Sequence, residues 1–119
     1  MRIAVTSAGR DLDAEMDPRF GRAQYILIVD EDGTLIEAVD NSAGVNARGG
    51  AGIQAGKTVA DRHVEVLITG NCGPNAFRTL QAAGVKVVVR QTGSVREALA
   101  RLKRGELAFA ESPNVEAHW

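Results

Sequence analysis

Apolar and polar positions along this chain switch between two periods, and the switches mark its elements. Residues 2–7 (RIAVTS) open on an apolar run that reads as a first strand. Residues 24–30 (QYILIVD) are almost continuously apolar and predict a central strand. Asp30-Glu31-Asp32-Gly33 reads as a turn with Gly33 at positive φ, after which residues 34–40 (TLIEAVD) return antiparallel. Between the first two strands, Ser7 to Arg22 form a long polar loop. A second long loop, from Asn41 to Gly52, contains Gly44, Gly49, Gly50 and Gly52. A helix is predicted over 53–62 on a thin apolar face of Ile53, Val59 and Ala60, weakened by Gly56.

The second half alternates more regularly. Residues 64–69 predict a strand, Gly70-Asn71-Cys72-Gly73 a tight turn, and Pro74 the first position of a helix that Gly84 stops. Val85 to Val89 predict another strand, and Thr92-Gly93 a turn. Ser94 and Glu97 form a capping box before Val95, Ala98, Leu99 and Leu102, which repeat at helical spacing up to Gly105. The order predicts an α/β domain over residues 1–107, with a mixed sheet of about five strands and helices on its faces. Residues 108–119 are polar and expected to fray as a flexible C-terminal tail.

At 119 residues the chain fits one domain that buries a core without disulfides. Its five aromatics leave that core to Val, Ile, Leu and Ala. Net charge is −1, which excludes a general polyanion binder, and no basic patch interleaved with aromatics supports nucleic-acid binding. The charge is uneven, however: residues 106–119 hold three acids and no Lys or Arg, so the rest carries a small positive excess, most of it Arg. Arg presents a planar fork of donors suited to oxyanions, although Arg richness also arises from genomic composition alone. Apolar residues begin at once, and no run approaches the ~20 needed to cross a bilayer. Neither a signal peptide nor a membrane span is expected, and the location expected by default is cytoplasmic.

Candidate chemistry lies at the carboxyl ends of the parallel strands, where open α/β sheets bind ligands. Thr6-Ser7-Ala8-Gly9, Thr69 to Pro74 and Gln91 to Ser94 occupy those ends, and the last two open directly into helices. Helix N-termini present unpaired amides and partial positive charge, so either loop reads as an anion site or as ordinary turn and cap chemistry. Cys72, the single cysteine, sits beside such an N-terminus. That placement lowers a thiol pKa and suits a soft metal such as Cu(I), while the plainer reading is a small half-buried turn residue. His63 reads as structural and His118 lies in the tail. Gly56-Lys57-Thr58 lacks the preceding glycine and strand of a phosphate loop, so a nucleoside-triphosphate site is rejected. Asp11, Asp13 and Asp17 read as solvated turn acids.

The same loops carry a family resemblance. RIAVTS, Asp17-Pro18-Arg19-Phe20-Gly21-Arg22-Ala23, Asp40-Asn41 and Arg48-Gly49-Gly50-Ala51-Gly52 are joined by the run Val66 to Ala76, by Ala83-Gly84-Val85 and by Thr92 to Leu99. Across residues 2–107 the chain resembles the dinitrogenase iron–molybdenum cofactor biosynthesis family, and within it the small stand-alone members of the orange-protein branch. The resemblance implies a three-layer α/β/α fold of the ribonuclease-H-like type without nuclease activity. It also implies a carrier or chaperone of anionic molybdenum-containing metal–sulfur clusters, and for this branch a molybdenum–copper sulfide cluster held without covalent attachment. An iron–molybdenum type cluster is the second choice, and a protein that receives the cluster is an implied partner. Many relatives carry His where this chain has Arg19, and others carry His in the Gly-rich loop, where residues 41–52 have none.

The expected cluster site therefore takes charge from Arg19, Arg22 and Arg48. Hydrogen bonds are expected around Gly49, Gly50, Gly52, Asn71, Gly73, Asn75, Gly93 and Ser94, with Cys72 as the candidate metal contact. Two other classes compete: a regulatory or scaffold protein that binds a protein partner, and an enzyme on a small phosphate ester. The latter needs a general base beside the anion pocket, and the sequence offers no convincing one.

Overall fold

The structure, a computed structural model, describes residues 1–47 and 49–116. Its strands are β1 (Arg2–Ser7), β2 (Tyr25–Asp30), β3 (Leu35–Asp40), β4 (Val66–Ile68) and β5 (Lys86–Val88). Its helices are α1 (Ser42–Val45), α2 (Ala51–Ala60), α3 (Pro74–Ala82) and α4 (Val95–Lys103). The five strands form one sheet in the order β3-β2-β1-β4-β5. The β1–β2 and β2–β3 pairs are antiparallel, and the β1–β4 and β4–β5 pairs are parallel. The mixed five-stranded sheet is thus the expected one.

Side chains alternate across the sheet as the pleat requires. Ala4, Ile26, Ile28, Leu67 and Val87 face one layer, where they pack with Ala55 and Val59 of α2 and with Ala76, Phe77 and Leu80 of α3. Ile3, Val5, Leu27, Val29, Val66, Ile68 and Val88 face the other, with Val95 and Ala98 of α4. The apolar runs of β1 and β2 have no solvent face because helices cover both sides. β3 is an edge strand with no fully buried position. Its Glu37 accepts two hydrogen bonds from Arg62, and that guanidinium holds the Glu37 carboxyl below its ordinary range. The pair is largely exposed and adds little stability, but a charge on an edge strand also discourages pairing with another sheet.

The region from Asn41 to Ala60 differs most from the sequence reading. The second helix starts two residues early, at Ala51, because Gly50 takes the left-handed conformation (φ 73°) as its N-cap. A four-residue helix, α1, occupies part of the loop after Asn41. Gly56, a weak point by propensity, is required by packing: a Cβ there would lie 2.8 Å from Thr79 Cγ2 of α3. Gly56-Lys57-Thr58 therefore lies within a helix rather than in a phosphate loop.

Candidate functional site

Neighbouring parallel strands β1 and β4 bring Thr6 and Thr69 together, both buried, with their hydroxyl oxygens 2.9 Å apart. Thr6 donates its hydroxyl proton to the Asp17 carbonyl at 2.7 Å, so Thr69 is the donor of the pair. The Asp17 N–H returns a bond to the Thr6 carbonyl at 3.0 Å. Asp17 then caps its own loop, its carboxylate accepting from the amides of Arg19 and Gln24. Further along, the Phe20 amide donates to the Asn71 carbonyl, and Asn71 Nδ2 donates to the Pro18 carbonyl. The loop 17–24 is thereby stitched onto the β4–α3 turn. Gly70 permits this close approach, since a Cβ there would meet the Pro18 carbonyl oxygen at 2.7 Å.

Beside this seam lies a cavity of about 180 Å³. Phe20, Gly21 and Arg22 form its floor, Gly49 to Ile53 one wall, Gly73 to Ala76 another, and Val115 with Glu116 a third. Both helical walls are first turns. α2 and α3 start there with glycine N-caps, Gly50 and Gly73, without a capping side chain and without an acid in the first turn. Their first internal bonds run from Gln54 to Gly50 and from Phe77 to Gly73. The amides of Gly52, Ile53, Asn75 and Ala76 consequently have no hydrogen-bond partner among the described residues. Two helix N-termini therefore converge on one cavity with unspent amides on each, an arrangement whose unpaired N–H groups and partial positive charge are of the kind that favours an anion.

Most of the predicted glycines meet there: Gly49, Gly50, Gly52 and Gly73 line the cavity, as do Asn71 and Asn75. Arg22 lines it too and is held by a 2.8 Å bond from its guanidinium to the Ala47 carbonyl. Arg19 is exposed on the seam, in a bridge to Asn71, and is not part of the lining. Arg48 and His118 lie outside the described residues.

Gly93 and Ser94 do not reach the cavity. They begin α4, on the opposite face of the sheet from α2 and α3. The Ser94 hydroxyl accepts the Glu97 amide at 3.1 Å, and the Glu97 carboxylate accepts the Ser94 amide at 2.9 Å. The Gly93 carbonyl accepts from Met16. This is the capping box read from the sequence, and it consumes the donors that an anion would need. The second N-terminus at the site belongs instead to α2.

Cys72 also departs from expectation. Its side chain is 1% exposed and packs in the core cluster with Phe20 and Phe77. Burial pushes the thiol up to about 12 rather than lowering it, because the desolvated thiolate outweighs any help from the helix N-terminus. At pH 7 the thiol is therefore protonated. The native protein is expected to resist thiol alkylation, whereas the unfolded chain reacts readily. The sign of the pH effect follows from the raised value. Stability is unaffected below pH ~8.5, where a free thiol begins to ionise, and falls as pH climbs toward 12 by up to roughly 1.4 kcal/mol per unit. Urea titrations of the wild type and Cys72→Ala at pH 7 and pH 10 measure it: their stability difference must change with pH, and a constant difference contradicts the burial.

The acids singled out in the first loop are turn and surface groups. Asp11 accepts the Asp13 amide, and Asp13 pairs with Arg96 at 2.8 Å. Among the described residues no three His, Cys, Asp or Glu side chains gather as a metal-holding group, and no helix is long and apolar enough to cross a membrane. Sequence reasoning missed Ile53, Ala76, Asn114, Val115 and Glu116. The first two were hidden by the late helix start and by an apolar identity that reads as core. The last three lie in a tail with no periodic pattern.

The family model for dinitrogenase iron-molybdenum cofactor matches residues 1–105. Among solved structures, the apo form of the orange protein from Desulfovibrio gigas is 45% identical, with a TM-score of 0.91 over 96% of each chain. A Thermotoga protein described as NifB-like is 39% identical, with a TM-score of 0.78 over 91% of each chain. An uncharacterised protein of Methanocaldococcus jannaschii is 30% identical over 95 residues, which span 77% of this chain and 80% of that protein. The match runs from β1 through α4 and takes in the whole stitched seam and both amide walls. This chain belongs to the dinitrogenase iron-molybdenum cofactor family.

Proposed function

We propose that the protein is a non-catalytic carrier that holds an anionic molybdenum-containing sulfide cluster, without covalent attachment, in the cavity between the N-termini of α2 and α3. The observation that carries this reading is the convergence of two uncapped first turns on one cavity, with the amides of Gly52, Ile53, Asn75 and Ala76 unspent. Sulfide ligands of a cluster accept hydrogen bonds and carry negative charge, which suits amides and the Arg22 guanidinium. Arg19 and Arg48 are the further cations of this reading, and copper is the second metal, with an iron–molybdenum cluster as the second choice. A cavity of about 180 Å³ is smaller than the ~300–1,000 Å³ typical of sites for organic ligands, which favours a compact inorganic anion. The buried, protonated Cys72 argues for outer-sphere retention rather than a metal–thiolate bond.

The test exploits two opposite consequences of one change. An acid in a helical first turn stabilises the helix by ~0.3–1 kcal/mol, because it meets the positive end of the dipole. The same acid repels a bound anion. Asn75→Asp combined with Ile53→Asp is expected to leave thermal stability equal or slightly raised, while affinity for tetrathiomolybdate falls by about tenfold or more at low salt. Unchanged affinity in this variant removes the amide cradle from the function. Anaerobic purification from the native host tests the cargo itself: molybdenum and sulfide in fixed ratio with a charge-transfer band are expected. Colourless protein that takes up no thiomolybdate favours the partner-binding scaffold instead.

A further inference from the structure

The third wall of the cavity is neither helix nor strand. Val115 and Glu116 supply it, from a segment predicted to be a loose tail. That segment returns along the sheet edge, where the Ala110 amide donates to the Val87 carbonyl at 2.7 Å and Lys86 lies over the Phe109 ring. It is then tied to the site by one residue. Asn114 Oδ1 accepts the Cys72 amide at 2.8 Å, and the Asn114 amide donates to the Cys72 carbonyl at 3.1 Å. Asn114 Nδ2 donates to Asn71 Oδ1 at 3.0 Å and to the Gly70 carbonyl at 3.3 Å. Among the described residues, no other member of 111–116 makes a hydrogen bond. The chain then passes so close over the N-cap of α3 that a Cβ on Gly73 would lie 3.3 Å from the Glu116 carbonyl oxygen.

We propose that Asn114–Glu116 form a strap across the anion cavity, latched by Asn114 and bearing the negative charge of Glu116, and that the strap lifts to let an anion enter or leave. The inference rests on the anion reading above. Two walls are helix ends packed into the core and cannot widen without unpacking α2 from α3. The third hangs on the hydrogen bonds of a single half-buried residue, three through the Asn114 side chain and one through its backbone amide, so it is the wall that yields. Glu116 is the acid among the lining residues. Closed, it supplies negative charge to a rim of unpaired amides. Open, it removes that charge from the path of the anion.

Stopped-flow uptake of tetrathiomolybdate by the wild type, Asn114→Ala and Glu116→Gln tests the strap. Hydrogen exchange of the Cys72 amide provides a second readout that needs no ligand. Asn114→Ala is expected to accelerate uptake and Cys72 amide exchange by about tenfold, since the latch amounts to a few hydrogen bonds. Glu116→Gln is expected to tighten binding about threefold at low salt, with the gain fading as salt screens an exposed charge. Should Asn114→Ala not fold, Glu116→Gln carries the test alone. Equal uptake by all folded variants overturns the strap and leaves the anion reading standing. No uptake by any of them overturns both.

Discussion

Phe20→Ala is expected to lower folding stability by about 3–5 kcal/mol, the range for truncating a buried aromatic. Phe20 is 2% exposed and belongs to the cluster formed by the α2–α3 face of the sheet. It also forms part of the cavity floor. Its amide donates to Asn71, so the ring is set by the same seam that orders the β4–α3 turn. Truncation therefore leaves a hole under the site as well as in the core. Since domains of this size are stable by only ~5–15 kcal/mol, the variant should sit near its threshold. Urea denaturation followed by far-ultraviolet circular dichroism checks it: the midpoint should fall sharply with the slope unchanged. Phe20→Leu should recover most of the loss. A loss below ~1 kcal/mol for the alanine variant would mean that the ring is not packed as the structure has it.

Gly21→Ala adds only a methyl group, yet it should cost roughly 1–3 kcal/mol and weaken anion binding together. The added Cβ would lie 2.6 Å from the Gly52 nitrogen and 2.9 Å from both the Ala51 carbonyl carbon and Gly52 Cα. These are backbone atoms at the start of a helix, so relief requires moving the first turn of α2. That turn carries the Gly52 and Ile53 amides, which is why stability and binding should fall in step. Gly49→Ala is the matched control for stability, because its Cβ would meet nothing within 4 Å. It should change stability by no more than a few tenths of a kcal/mol. Gly21→Ala matching Gly49→Ala in thermal melts, with thiomolybdate affinity equal to that of the wild type, would remove the close loop–helix contact from the account.

The two predictions share a cause. Phe20 and Gly21 belong to the motif Asp17 to Ala23, which composition alone reads as a polar loop. The family resemblance marks it, with Arg19 and Arg22 as its cations. In the structure Arg22 lines the cavity and Arg19 is exposed at the seam, while the phenyl ring and the missing Cβ shape the cavity. A charge is conspicuous in a sequence because its chemistry belongs to one residue. A close approach is not, because it needs both partners to be known.

Local physics settled the elements before any contact was known. The apolar runs of β1 and β2, the capping box at Ser94 and Glu97, the Pro74 start of α3 and the stops at Gly84 and Gly105 are each decided within a few residues. The mixed sheet followed from the hairpin and from one right-handed crossover. Tertiary structure alone decided which helix N-termini meet. Sequence placed those of α3 and α4 together, because both follow parallel strands. The crossovers instead put α4 on the opposite face and brought α2 beside α3, through contacts at Gly52 with Ala76 and Gly56 with Thr79. Cys72 turned on the same distinction: a helix start nearby lowers a thiol pKa, but burial among Phe20 and Phe77 raises it, and burial is a property of the whole fold. The tail shows it most plainly. Asn114 has no periodic neighbours to announce it, and its role exists only because the chain folds back 42 residues in sequence to the Cys72 amide.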